Sequence, residues 1–122
     1  MNFGGYLKRA RETKERSFRE LEDDSGIDHA YIWRLEKGEN TNPSPDIITK
    51  LNKALSLNER EGKIFSLLAN VEIPDELCEL MEERHDIAWD TFQSVATMSN
   101  RGKRPTTKED WLRFIKFIDE FD

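Results

Sequence analysis

"GIDHAYIWRLEKGEN", residues 26–40, decides how the chain is read. Gly26 permits the left-handed turn that ends a preceding helix, and Gly38 does the same twelve residues later. Asp28 stands where a carboxylate caps the helix between them, accepting from the amides two or three residues on. Ile32 and Leu35 fall on one face of that helix, with Ile27 just before it. His29, Ala30, Trp33, Arg34 and Lys37 are left on the other face, which points outward.

The flanking sequence supplies partners for the apolar face. "SFRE", residues 17–20, has the form of a capping box, Glu20 reaching back to Ser17, and predicts a short second helix that stops near Asp24. Leu21 on this helix would pack against Ile27, Ile32 and Leu35, the arrangement of a helix-turn-helix. A first helix over about Phe3–Thr13 carries Phe3, Tyr6, Leu7 and Ala10 on one side. The loop "ENTNPSP", 39–45, is rich in turn formers. Ser44 then caps a fourth helix whose first position is Pro45, where the missing N–H costs nothing. Asn58 with Glu61 opens a fifth, in the company of Leu57, Ile64, Phe65, Leu67 and Leu68.

After "NVEIP" (70–74), Asp75 is expected to cap a sixth helix. Leu77, Leu80, Met81, Arg84, Ala88, Phe92 and Val95 keep helical spacing, so that helix either continues to about residue 97 or breaks near His85–Asp86. "SNRGKRP" (99–105) reads as a basic loop, either an arm that reaches phosphates or a solvated connection. Thr106 and Glu109 have the spacing of a further capping box. The last helix bears a stripe of Trp111, Phe114, Ile115 and Ile118, with Leu112, Phe117 and Phe121 beside it. That stripe is a core element whose width suggests a dimer or partner surface. The expected fold is all-α: a five-helix domain over 1–70, followed by two or three helices over 71–122.

Charge is unevenly distributed. Residues 1–70 hold 12 Lys/Arg and 12 Asp/Glu, whereas 71–122 hold 7 and 13 and supply the whole net charge of −6. A neutral half with basic clusters can meet phosphate; the acidic half should face away from nucleic acid or towards a protein. The single Cys78 excludes an internal disulfide, and its neighbours Glu76 and Glu79 disfavour a reactive thiolate, so it reads as a semi-buried apolar position. No apolar run spans a membrane and the start "MNFGGYLKRAR" lacks the apolar centre of a signal peptide, so a cytoplasmic protein is expected. "EERH", 82–85, is a lone E-x-x-H without the second copy a di-iron bundle needs, and reads as a solvated helix face. With no phosphate loop and no nucleophile–base set, neither an enzyme nor a metal or cofactor is expected.

The segments "LKRAR", "SFREL", "SGIDHAYIWRLEKG" and "NPSPDIITKLNKAL" resemble the Cro and phage-repressor (XRE) family of helix-turn-helix regulators, over about residues 3–70. The resemblance implies base contacts from His29, Ala30 and Arg34, with Trp33 beside them. Arg34 suits guanine O6 and N7, and the Ala30 methyl suits a thymine methyl. It implies backbone contacts around Phe18, Arg19, Lys37, Asn40, Thr41 and Asn42. Gly26, Asp28 and Gly38 would be structural, as would an ion pair between Arg11 and Glu36. Trp33 has three readings: a sugar or thymine contact, a packing residue, or a protein-contact hot spot.

Three positions depart from the family pattern. Phe18 stands where Gln is usual. Glu22 stands where Ala is preferred, and must reach solvent or find a basic partner. The loop with Glu39, Thr41 and Asn42 is poor in positive charge, which implies weaker, less salt-dependent DNA binding. The expected function is that of a sequence-specific regulator, a repressor, acting as a homodimer on a near-palindromic operator of double-stranded DNA. The alternative is the antitoxin of a toxin–antitoxin pair that neutralises a protein toxin through 71–122 and represses its own promoter. A third reading keeps the fold without DNA binding.

Overall fold

The structure, a computed structural model, describes residues 1–39, 42–98 and 105–120. These form eight α-helices and no strand: α1 (Phe3–Thr13), α2 (Phe18–Ser25), α3 (His29–Lys37), α4 (Pro45–Ala54), α5 (Glu59–Leu68), α6 (Asp75–Glu83), α7 (Trp89–Thr97) and α8 (Lys108–Asp119). The all-α class is therefore as read from sequence, with three C-terminal helices. The chain divides into two compact units, Met1–Glu72 and Ile73–Asp122.

In the first unit α1 packs on α3 and α5, α2 on α3 and α4, and α4 on α5. The core is built from the periodic apolar residues: Tyr6, Leu7, Leu21, Ile32, Leu35, Leu51, Leu55, Ile64 and Phe65 are buried. Phe3 stacks on Phe65 with ring centroids 4.4 Å apart. Burying each large side chain contributes about 1.5–3 kcal/mol, and the five short helices, which would not persist alone, depend on this shared core.

Local signals fix the helix ends. Ser17 and Glu20 form a reciprocal capping box at α2, as do Asn58 and Glu61 at α5. Ser44 Oγ accepts from the Ile47 amide, with Pro45 opening α4. Gly26 and Gly38 lie at φ 77° and 76°, the left-handed region where a Cβ is strained. Gly4 serves a different purpose. A Cβ there would stand 2.5 Å from the Leu35 carbonyl oxygen and 2.7 Å from that of Glu36, so its absence lets α1 lie directly on the end of α3.

In the second unit α6, α7 and α8 all contact one another. Ile73, Leu77, Cys78, Leu80, Met81, Phe92, Val95, Trp111 and Ile115 are buried. Two expected caps are corrected here, and of the two readings of the sixth helix the break near His85–Asp86 is the one found. Asp75 does not cap α6; it is the first helical residue, after Pro74, and no side chain caps that end. The last helix is capped one residue later than expected: Thr107, extended at φ −116° and ψ 158°, has its Oγ1 accept from the Asp110 amide at 3.1 Å. The sixth helix ends at Glu83. Arg84 donates two hydrogen bonds to Asp86, of 2.8 and 2.7 Å. Side chains two residues apart do not meet on a helix, so this fork requires the break. His85 consequently lies outside any helix, and "EERH" is not a helix face. The Arg84 guanidinium holds the Asp86 carboxyl down at about 2.

Candidate nucleic-acid interface

A run of hydrogen bonds through the turn between α2 and α3 fixes how α3 is presented. Gly26 N donates to Glu22 O at 2.8 Å. Ser25 Oγ donates to Leu21 O and accepts from Ile27 N at 3.1 Å. Asp28 Oδ1 accepts from Ala30 N at 2.7 Å, so the carboxylate that opens the recognition stretch is engaged in capping.

Glu22 is answered by His29. Its Oε1 accepts from the His29 backbone amide at 3.0 Å and from His29 Nδ1 at 3.1 Å. Because an ionised carboxylate only accepts, Nδ1 is the donor in this contact and Nε2 is not used in it. The amide bond, and after it the ring, hold the Glu22 carboxyl below the usual carboxylate range. A carboxylate where small residues are usual thus becomes a second cap on α3 and a brace for the imidazole. Glu22 was expected to need a partner; that the partner is His29, seven residues on, depends on the turn bringing the end of α2 to the start of α3. The ligand atoms of Glu22, Asp28 and His29 lie within 4.8 Å of one another. Both carboxylates are already taken by helix amides, and the positive end of the α3 dipole opposes a cation there.

Arg11 and Glu36 join α1 to α3. Arg11 Nε donates to Glu36 Oε2 at 2.6 Å and Nη2 to Oε1 at 3.2 Å, while Nη1 reaches Arg16 O. The Glu36 side chain is 4% exposed and that of Arg11 15%. Bonding to Glu36 raises the Arg11 pKa above its ordinary value. Arg16, just before α2, pairs with Asp24 and Glu20 on that helix.

The outer face of α3 is open. Trp33 is 43% exposed, Arg34 and Lys37 are exposed, and His29 and Ala30 are half-buried. Among the described residues no carboxylate forms a salt bridge with Arg34, Lys37, Arg19 or Lys8. Lys37 Nζ sits 5.6 Å from the Trp33 ring centroid. The Arg11 guanidinium lies 4.1 Å over the Phe18 ring. A cleft of about 270 Å³ opens beside this face, lined by Lys8, Arg11, Phe18, Trp33, Glu36 and Lys37. Sequence reasoning missed Lys8, which sits a turn before Arg11 on the same side of α1. Asn42 is exposed. Asn40 and Thr41, residues 99–104 of the basic loop, and Phe121 lie outside the described residues.

On α8, Trp111 and Ile115 are 1% and 2% exposed and belong to the core of their own unit. They are not surface, contrary to their use in a dimer or partner face. Phe114 and Ile118 are half-exposed and Phe117 is 55% exposed, so any surface on α8 is made by these.

Two helices joined at a glycine turn, with an open cationic outer face on the second, define a helix-turn-helix. Residues 2–61 are similar to the family whose model is described as "Helix-turn-helix domain". No curated protein matches the chain. Among the described residues no helix is long and apolar enough to cross a membrane.

Proposed function

We propose that the protein is a sequence-specific, DNA-binding transcriptional regulator of the Cro and phage-repressor kind. The observation that carries this reading is the outer face of α3, where Arg34 is exposed in the last turn of a helix capped at both ends and, among the described residues, meets no carboxylate at salt-bridge distance. In this reading α3 enters the major groove. Arg34 takes guanine O6 and N7, the Ala30 methyl meets a thymine methyl, and His29 presents Nε2 to a base edge. Lys37, Arg19 and Asn42 meet phosphates, as would Asn40 and Thr41 in the following loop. Gly26, Asp28, Glu36 and Gly38 hold the presentation and read nothing.

A homodimer binding a near-palindromic operator, with half-sites about one DNA turn apart, follows from one reading helix per chain. Repression is the expected outcome of occupying a promoter. Selection from a randomised duplex pool tests the proposal: enrichment of an inverted repeat is expected, and a pool that stays random overturns it.

The acidity of 71–122, together with Phe114, Phe117 and Ile118 on α8, favours a second role for the C-terminal unit as the seat of a protein partner, such as a toxin. A small toxic protein that co-purifies with the full chain, and is lost on deleting 73–122, would support the antitoxin alternative.

A further inference from the structure

The cleft between α1, α2 and α3 combines three kinds of surface. Its floor is the Arg11–Glu36 pair, whose charges cancel. Its walls are the rings of Phe18 and Trp33. Its rim carries the ammonium groups of Lys8 and Lys37, and among the described residues neither meets a carboxylate at salt-bridge distance. A matching guest is anionic at one end and apolar beside it. At about 270 Å³ the cleft lies below the range typical of sites that enclose a drug-sized ligand. It adjoins the outer face of α3, since Trp33 directly precedes Arg34.

We propose that this cleft seats one deoxyribose–phosphate unit of duplex DNA, with Lys8 as a phosphate ligand opposite Lys37, and Phe18 and Trp33 against the sugar. The inference rests on the DNA-binding reading and adds to it a residue of α1 and a role for two aromatics. Phe18 cannot donate to a phosphate, but the lysines on either side restore that function by charge, and the ring gives the sugar an apolar wall. Trp33 then touches the DNA backbone, not a base, and so contributes affinity without specificity.

The two kinds of contact separate by their salt dependence. A lysine on a phosphate releases a counterion; a ring on a sugar does not. The full chain is titrated with its selected duplex and with a scrambled duplex, at several salt concentrations. Lys8→Gln should lower the slope of log affinity against log salt by about one, and weaken binding to both duplexes alike, by roughly fivefold near 0.15 M salt. Trp33→Leu and Phe18→Leu should weaken binding with the slope unchanged. Lys63→Gln, on α5 outside the cleft, should change neither quantity. A neutral methylphosphonate placed at one backbone position per half-site should remove the difference between wild type and Lys8→Gln, because both lesions delete one contact.

Each substituted side chain is at least partly exposed, and circular dichroism checks that each variant folds. If wild type binds DNA while Lys8→Gln keeps the wild-type slope, the phosphate seat is overturned and the DNA-binding reading stands. An equal loss of slope from Lys63→Gln also overturns it, since that is general electrostatics. So does a Lys8→Gln defect confined to binding an acidic peptide, which would give the cleft to a protein. Failure of wild type to bind either duplex overturns both readings.

Discussion

Glu22 is a half-buried charged residue on α2 that faces the start of α3, and its tolerance is explained by what it accepts. One oxygen takes the backbone amide and ring nitrogen of His29, so the carboxylate replaces water at the start of α3. The Glu22 pKa is depressed in the fold, so its stabilising effect is full above the unfolded carboxyl value, near 4.5, and is lost as pH falls through the lower folded value. Glu22→Gln should therefore be less stable than wild type at neutral pH, with the gap narrowing below pH 4.5. Urea midpoints across pH measure this, and a gap independent of pH would contradict it. Arg11 and Glu36 make the complementary case of a pair largely removed from water. Arg11→Met should destabilise by about 3–5 kcal/mol, because it strands a buried carboxylate. Adding Glu36→Leu should recover most of the loss, which denaturant unfolding of the double variant would reveal. This pair was expected from the resemblance to the Cro and phage-repressor family. The Glu22–His29 contact was not, because it depends on the angle of a turn that no spacing rule specifies.

At the scale of the helices, residues that act through local hydrogen bonds were the legible ones. Ser17 with Glu20, Asn58 with Glu61, Ser44 with Pro45, and the two glycines each decide a boundary within four residues of themselves. Boundaries set by competition were harder to read. Thr106 and Thr107 are equivalent caps by type, and the second is the one whose side chain caps α8. The break after α6 is stabilised by the Arg84–Asp86 fork, yet apolar spacing runs through it undisturbed. Two helix ends hold residues other than glycine in the left-handed region: Glu15 at φ 54° and Ser56 at φ 52°. Glu15→Gly and Ser56→Gly should each stabilise the fold by up to about 1 kcal/mol, the relief of the Cβ clash being partly offset by the greater freedom of glycine when unfolded. Gly4→Ala should act in the opposite direction, by about 1–3 kcal/mol, since its methyl would push α1 off the α3 carbonyls. Thermal melts of the three variants, ordered as predicted, check the account of these packing limits.

For the whole molecule, the division at Glu72 separates a near-neutral helix-turn-helix unit from an acidic one. Met1–Glu72 has its own buried core and should unfold cooperatively when expressed alone, with a urea slope of about 1 kcal/mol/M expected for so short a chain. A gradual, non-cooperative loss of helix would show that it depends on the rest. What the sequence could not convey was which apolar residues of α8 are used up internally: Trp111 and Ile115 share a stripe with Phe114 and Ile118, and only packing on α6 and α7 separates them. The central claim is that the open face of α3 reads DNA sequence. It is tested most directly by measuring affinities of wild type and Arg34→Ala for the selected and the scrambled duplex at one fixed salt concentration. The account predicts that Arg34→Ala costs about 1–3 kcal/mol on the selected duplex and far less on the scrambled one, so that specificity collapses while backbone binding persists. Equal affinities of the two proteins for the selected duplex would contradict it.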